Sequence, residues 1–195
     1  MTTQARTTQA SNPRWTRHAG NVLTLLRLLL VPVFVWGVGS ATALHGWIAA
    51  VAFVAAAASD VYDGRLARRF GQASDAGRFL DHFADIAFLL CGYGAFVARG
   101  EAPWWVPAAI ALAFGTYVVD SWLRSQPAQP SLIGSRLGHW GGVANYLLLG
   151  VLTFNAAAEI RLLPAAWVAA LLALVPVYSA AAVAARLMSA RTAGR

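Results

Sequence analysis

Apolar residues dominate long stretches of this 195-residue chain, and short polar segments separate those stretches. Each stretch is close to the roughly 20 residues that an α-helix needs to cross a bilayer. We mark six of them, at about 22–39, 44–60, 79–98, 104–122, 142–158 and 162–184. A hydrophobic content of 58% excludes an ordinary soluble domain, and the connections are too short to hold one. The pattern therefore predicts an all-α integral membrane protein with six transmembrane helices.

Arginine is distributed unevenly between the two sides of these stretches. All fifteen basic residues are Arg, and the formal net charge is +7. The loops that open to one side hold only Arg99 and Arg161, and most of the other arginines face the opposite side. Cytoplasmic loops carry the positive excess in membrane proteins, so both termini are predicted to be cytoplasmic. The charge thus reflects topology and anionic lipid rather than nucleic acid, since no basic and aromatic reading surface is present.

The same pattern divides the chain into three parts. Residues 1–20 are predicted to form a cytoplasmic N-terminal segment, in which Pro13 to His18 could lie on the membrane surface as a short interfacial helix. A disordered tail is an equally good interpretation of that segment. Residues 21–185 are predicted to form the six-helix membrane domain, and residues 186–195 a basic cytoplasmic tail.

One window of the chain, from Asp60 to Asp85, places carboxylates at fixed intervals. It follows the pattern D-x2-D-G-x2-A-R-x8-G-x3-D-x3-D. Helical spacing puts two of the acids on one face of the second predicted helix and two on one face of the third. Consecutive helices with a short connection are usually neighbours, so the four acids are expected to converge near the cytoplasmic side. Because carboxylates are costly at membrane depth, such a cluster indicates a metal or another strong partner.

The residue types in this window favour phosphoryl chemistry. Oxygen ligands without a Cys/His cluster suit Mg²⁺ or Mn²⁺ rather than zinc. Two such ions can clamp a phosphoryl group during its displacement. Gly64, Ala67 and Gly77 leave space beside the acids, and Arg68 offers a planar donor fork for phosphate. A pair of acids on a helix is more often a solvated face, but two acids of this set lie inside a membrane stretch, where they need compensation.

The window resembles the signature of the CDP-alcohol phosphotransferase family, and each defined position is matched without a gap. The opening Asn21-x2-Thr24-x2-Arg27, followed by LLLVP, is similar to the first helix of bacterial phosphatidylglycerophosphate and cardiolipin synthases of this family. The resemblance implies transfer of a phosphatidyl group from CDP-diacylglycerol to an alcohol hydroxyl, with release of CMP. It also implies a homodimer among the lipids of the cytoplasmic (inner) membrane, with the active site facing the cytoplasm.

The resemblance also implies roles for individual residues. Four aspartates would bind two divalent cations, Mg²⁺ or Mn²⁺: Asp60, Asp63, Asp81 and Asp85. The last of them would also be the base that takes the proton from the attacking hydroxyl. Four small or basic positions would line the pocket for the CDP group: Gly64, Ala67, Arg68 and Gly77.

The acceptor alcohol is the least determined part of the interpretation. Glycerol-3-phosphate is the first choice, although Ile86 stands where phosphatidylglycerophosphate synthases typically carry Lys, and His82 where they carry Pro. Serine, inositol phosphate and phosphatidylglycerol stay open as acceptors. The candidate ligands for a phosphorylated acceptor are Arg27, Arg78, Arg124, Arg136 and His139. Arg124 could instead pair with Asp120 one turn earlier.

Two other functions compete with this interpretation. A small transporter or cation channel would distribute its acids through the membrane and show an internal repeat, and no repeat is visible in this chain. An intramembrane aromatic prenyltransferase would need a longer chain with two separated acidic motifs.

Overall fold

The computed structural model describes residues 15–40, 42–70, 75–124 and 136–193, and every regular element in them is an α-helix. The helices are α1 (Trp15–Gly39), α2 (Ala43–Phe70), α3 (Asp75–Ala98), α4 (Trp105–Arg124), α5 (Arg136–Ala158) and α6 (Ala165–Ala193). Each contains a stretch long and apolar enough to span a membrane: Val22–Gly39, Ala43–Tyr62, Phe79–Ala98, Trp105–Leu123, Gly138–Ala158 and Ala165–Met188. The prediction of an all-α protein with six such helices is confirmed.

The N-terminal segment is described only in part. Residues 1–14 lie outside the described residues, and α1 begins at Trp15 and continues into the first span. An interfacial position for this segment and the cytoplasmic location of both termini stay predictions.

The core of the bundle lies between α1, α2, α3 and α5. Phe34 of α1 has its ring centroid 4.9 Å from that of Phe88 on α3 and 6.5 Å from that of Phe53 on α2. Tyr146 of α5 stacks on Phe88 at 6.1 Å. Aromatic pairs at such distances contribute about 0.5–1.5 kcal/mol beyond their buried area. The four helices are therefore fixed to one another by side-chain packing, while α4 packs mainly on α6 and less on α3.

Arg99, which directly follows α3, links that helix to the last turn of α1. Its Nη1 donates to the backbone oxygen of Val38 at 2.7 Å, and its Nε donates to Glu101 at 2.6 Å. The last carbonyls of a helix lack partners within the helix, so a cation beside them is stabilising. This arginine thus has a local structural role in capping α1.

Glycines allow α2 to lie very close to its neighbours. A Cβ placed on Gly37 of α1 would be 2.8 Å from the backbone oxygen of His45 and 2.9 Å from the backbone nitrogen of Ala49. A Cβ on Gly46 of α2 would be 2.8 Å from the Cα of Ala157 in α5. Backbone atoms cannot swing aside as the end of a side chain can, so the helices reach this separation only with glycine at these positions.

Gly37→Ala is expected to lower the stability of the protein in detergent by about 1–3 kcal/mol, because the added methyl group forces α1 and α2 apart. Thermal unfolding of the purified protein measures the effect. Gly39→Ala is the matched control on the same helix, because a Cβ there has no atom within 4 Å. Equal melting temperatures for the two variants would contradict the close approach of the helices.

Candidate functional site

Three aspartates meet at one end of the membrane-spanning helices. Asp60 lies near the end of the α2 span, and Asp81 and Asp85 lie near the beginning of the α3 span. One ligand atom from each carboxylate lies within 4.8 Å of the others. The spacing of the acids along the two helices predicted the convergence of these three, and the side chain of the fourth, Asp63, lies outside the described residues. The two acidic helices were expected to pack on each other as neighbours, but among the described residues both pack extensively on α1, which links them.

Arg27 of α1 lies among these carboxylates. Its side chain is 0% exposed, and its Nη1 donates to Asp81 Oδ1 at 2.9 Å and also contacts Asp85 Oδ1. Its Nη2 is 3.5 Å from Asp60 Oδ1. The remaining donor, Nε, is buried without a hydrogen-bond partner among the described residues. The guanidinium is therefore held by the acids, and it supplies part of the compensation that partly buried carboxylates need.

Three further side chains lie near the cluster. Tyr146 of α5 directs its hydroxyl toward Asp85 Oδ1 at 3.5 Å. His82 and His139 both lie close enough to Asp60 to interact with it electrostatically. His139 was predicted as an acceptor ligand, whereas Tyr146 was not predicted at all. Nothing in the sequence marks Tyr146, because its place depends on how α5 packs against α3.

The structure describes only some of the predicted site residues at the level of side chains. Gly77 lies in α3 one turn before Asp81. The following predicted site residues lie in helices, but their side chains are outside the described part of the chain: Asp63, Gly64, Ala67, Arg68, Arg78, Arg124 and Arg136. The metal, nucleotide and acceptor roles of these positions stay predictions.

A second charged group lies on α4 and α6. Arg186 donates from Nη1 to Asp120 Oδ2 at 3.0 Å, and its guanidinium lies 4.7 Å from the centre of the Tyr117 ring. The same ring lies 6.2 Å from that of His82 and 5.9 Å from that of Phe114, measured between ring centroids. Asp120 is therefore bound by an arginine from another helix, while its predicted partner Arg124 is outside the described side chains.

The carboxylate cluster fits a hard divalent cation. Its donors are oxygens from two helices, and Mg²⁺ and Mn²⁺ prefer such ligands. Among the described side chains, three carboxylates face the guanidinium of Arg27, so these groups keep an excess of negative charge. A cation would lower that excess. The fit concerns ligand type and charge, and it does not distinguish Mg²⁺ from Mn²⁺.

Fold and site together define a membrane-embedded helical bundle with an acidic site suited to a divalent cation at one end of its spans. The sequence model of the family described as CDP-alcohol phosphatidyltransferase matches residues 17–189. The chain therefore belongs to the CDP-alcohol phosphatidyltransferase family, and it is a multi-pass membrane protein.

Individual relatives agree with this family. A Mycobacterium tuberculosis protein named "Probable phosphatidylglycerophosphate synthase" is 34% identical over 113 residues, 56% of this chain and 54% of that protein. A Yersinia pestis protein named CDP-diacylglycerol–glycerol-3-phosphate 3-phosphatidyltransferase is 32% identical over 134 residues, 69% of each chain. A Mycobacterium bovis protein provisionally named a cardiolipin synthase is 33% identical over 136 residues, 67% of this chain and 64% of that protein. The match spans about half the length of the Mycobacterium tuberculosis relative.

Proposed function

We propose that the protein transfers a phosphatidyl group from CDP-diacylglycerol to the hydroxyl of glycerol-3-phosphate and releases CMP. The observation that carries the proposal is the meeting of Asp60, Asp81 and Asp85 at one end of an apolar bundle. These three residues fill positions of the family signature, and the chain matches the family over residues 17–189. The names of the Mycobacterium tuberculosis and Yersinia pestis relatives support glycerol-3-phosphate as the acceptor.

The acids would supply both the metal ligands and the base. We assign two divalent cations, Mg²⁺ or Mn²⁺, to four ligands: Asp60, Asp63, Asp81 and Asp85. Such cations neutralise a diphosphate and stabilise the negative charge that develops on the leaving CMP. Asp85 takes the proton of the acceptor hydroxyl, whose oxygen then forms a bond to the phosphorus of the phosphatidyl group. The bond from that phosphorus to the CMP oxygen breaks, and CMP leaves with the electron pair.

The location of the site suits a lipid donor. The acyl chains can stay in the bilayer while the CDP group enters the end of the bundle, where we assign its contacts to Gly64, Ala67, Arg68 and Gly77. The uneven distribution of arginine supports an active site at the cytoplasmic face of the inner membrane. We further propose cytoplasmic termini, a membrane domain over 21–185 and a homodimer. The dimer follows from the family resemblance.

The acceptor assignment has one serious competitor. Ile86 and His82 depart from the usual pattern of phosphatidylglycerophosphate synthases, and the Mycobacterium bovis relative has the name of a cardiolipin synthase. Phosphatidylglycerol is therefore the second candidate. A phosphorylated acceptor would be held by cationic residues near the acids, of which His139 is one that interacts electrostatically with Asp60 in the structure. The other candidates are Arg78, Arg124 and Arg136.

Release of CMP by the purified protein tests the proposal. We expect CMP in detergent with CDP-diacylglycerol, glycerol-3-phosphate and Mg²⁺ or Mn²⁺, and none after a chelator removes the cation. Serine, inositol phosphate and phosphatidylglycerol are supplied separately as alternative acceptors. Turnover with one of these alone would reassign the acceptor, whereas no CMP with any acceptor would overturn the proposal and favour a transporter or channel.

A further inference from the structure

We propose that Arg27 is the internal counter-ion of the acidic site. In this role it is a positioning residue that holds the carboxylates together and competes with a divalent cation for their charge. The inference deepens the proposed function, because it takes the cluster of Asp60, Asp81 and Asp85 as a metal site. It assigns Arg27 a different role from the acceptor binding that its polar helix face first suggested.

The geometry places one guanidinium on three carboxylates from two helices. Nη1 donates to both Asp81 and Asp85, and Nη2 lies 3.5 Å from Asp60 Oδ1. A guanidinium is a rigid planar fork, so contacts with several acids fix their separation as well as their charge. Since α1 also packs on both acidic helices, this side chain connects the three helices at the site.

Burial makes the contacts of Arg27 stronger and excludes other partners. The side chain is 0% exposed, so an acceptor phosphate has no part of it to reach. Its Nε lies buried without a partner among the described residues. A buried donor without a partner is costly. The contacts with the acids offset this cost, and they therefore determine the position of Arg27.

Arg27 and a divalent cation compete for the same carboxylates because both are positively charged. The guanidinium neutralises part of the negative charge that would attract a cation, and it donates to carboxylates that would serve as ligands. A unit charge within a few ångström of a cation near the protein surface changes its affinity by on the order of tenfold or more. The charge of Arg27 should therefore weaken cation binding while it keeps the acids together.

Arg27→Gln tests both effects in the full-length protein in detergent. Binding of Mn²⁺, followed by the electron paramagnetic resonance signal of the free ion, is expected to be at least about tenfold tighter than in wild type. The variant should melt at a lower temperature than wild type in EDTA, and Mn²⁺ should raise its melting temperature more. Arg27→Lys keeps the charge but loses the fork, so its Mn²⁺ affinity should stay within about threefold of wild type while its melting temperature in EDTA falls.

Arg99→Gln is the matched control. Like Arg27, Arg99 is ion-paired, in its case with Glu101, and the substitution removes the same charge. Arg99 caps α1 at the end of the helix that lies away from the acids. Its Mn²⁺ affinity should equal that of wild type even if its melting temperature falls. A purely structural role for Arg27 would make Arg27→Gln behave in the same way.

Each outcome supports or contradicts the proposal. Unchanged or weaker Mn²⁺ binding by Arg27→Gln overturns it. If that variant unfolds in EDTA, it is prepared in Mn²⁺, where recovery of folded protein supports the proposal and failure to fold in both conditions contradicts it. If wild-type protein releases CMP but Arg27→Gln shows no gain in Mn²⁺ affinity, the role of Arg27 is rejected and the proposed function is kept. If wild-type protein releases no CMP but Arg27→Gln shows the gain, the proposed function is rejected and the role of Arg27 is kept.

Discussion

Asp85→Asn is expected to abolish CMP release while leaving the binding of the CDP-linked donor largely intact. Asparagine keeps the size of the side chain, but it cannot take a proton from the acceptor hydroxyl. General-base catalysis contributes about 10²–10⁴-fold to a rate, so a fall of at least about a hundredfold is expected. In the structure this carboxylate contacts Arg27, and the hydroxyl of Tyr146 lies 3.5 Å from Asp85 Oδ1. CMP release is measured at saturating Mn²⁺, with donor binding followed separately.

Asp120→Asn is the control for this prediction. It makes the same chemical change on α4, where the carboxylate is paired with Arg186 at 3.0 Å rather than with the acidic cluster. Its CMP release should stay within a few-fold of wild type, although loss of a partly buried ion pair should lower the melting temperature. Near-normal CMP release by Asp85→Asn would remove Asp85 as the base. Loss of release in both variants would show that the assay reports folding instead of catalysis.

The membrane spans were predictable because hydropathy is a local property. The first stretch was predicted at about 22–39 and is Val22–Gly39 in the structure. The fifth was predicted to begin near residue 142, but the span begins at Gly138 and the helix at Arg136. Residues 138–142 are glycines, His139 and a tryptophan, so they lower the hydropathy without ending the helix. Hydropathy thus located the apolar part of α5 and missed its polar beginning.

The acidic cluster was predictable for a related reason, whereas its partners were not. Helical spacing alone placed Asp81 and Asp85 on one face, and the cytoplasmic end of the preceding span placed Asp60 at the same level. The packing of α2 and α3 on α1, rather than on each other, was not predicted. Periodicity within α1 indicated a polar face at Arg27, but it did not indicate which helices that face meets. The contact of Arg27 with the acids and the approach of Tyr146 both depend on packing between helices distant in sequence.

Charge pairing on α4 includes a partner that local spacing does not indicate. The spacing of four residues on one helix allows Arg124 as a partner for Asp120, and the side chain of Arg124 lies outside the described residues. Arg186, which lies 66 residues further along the chain on α6, is an arginine that the structure describes at Asp120. Such a pair depends on the contact between α4 and α6, which no local rule describes.

Asp81→Asn is expected to weaken Mn²⁺ binding by at least about a hundredfold, because it removes a unit charge and a ligand in direct contact with the ion. CMP release should fall with the loss of cation and recover in part as Mn²⁺ is raised. Asp81 lies in the cluster with Asp60 and Asp85, and its Oδ1 is 2.9 Å from Arg27 Nη1. Titration of Mn²⁺ against both ion binding and CMP release measures the two effects on one sample.

Glu101→Gln is the matched control for Asp81→Asn, because it also removes one ion-paired carboxylate, here the partner of Arg99. Its Mn²⁺ affinity and CMP release should equal those of wild type. The response to Mn²⁺ then separates the role of Asp81 from that of Asp85. Extra cation can restore a site that has lost a ligand, so Asp81→Asn should recover, but it cannot restore a missing proton acceptor, so Asp85→Asn should not. Recovery of both variants to the same extent would make Asp85 a ligand only, and unchanged Mn²⁺ affinity in Asp81→Asn would remove Asp81 from the metal site.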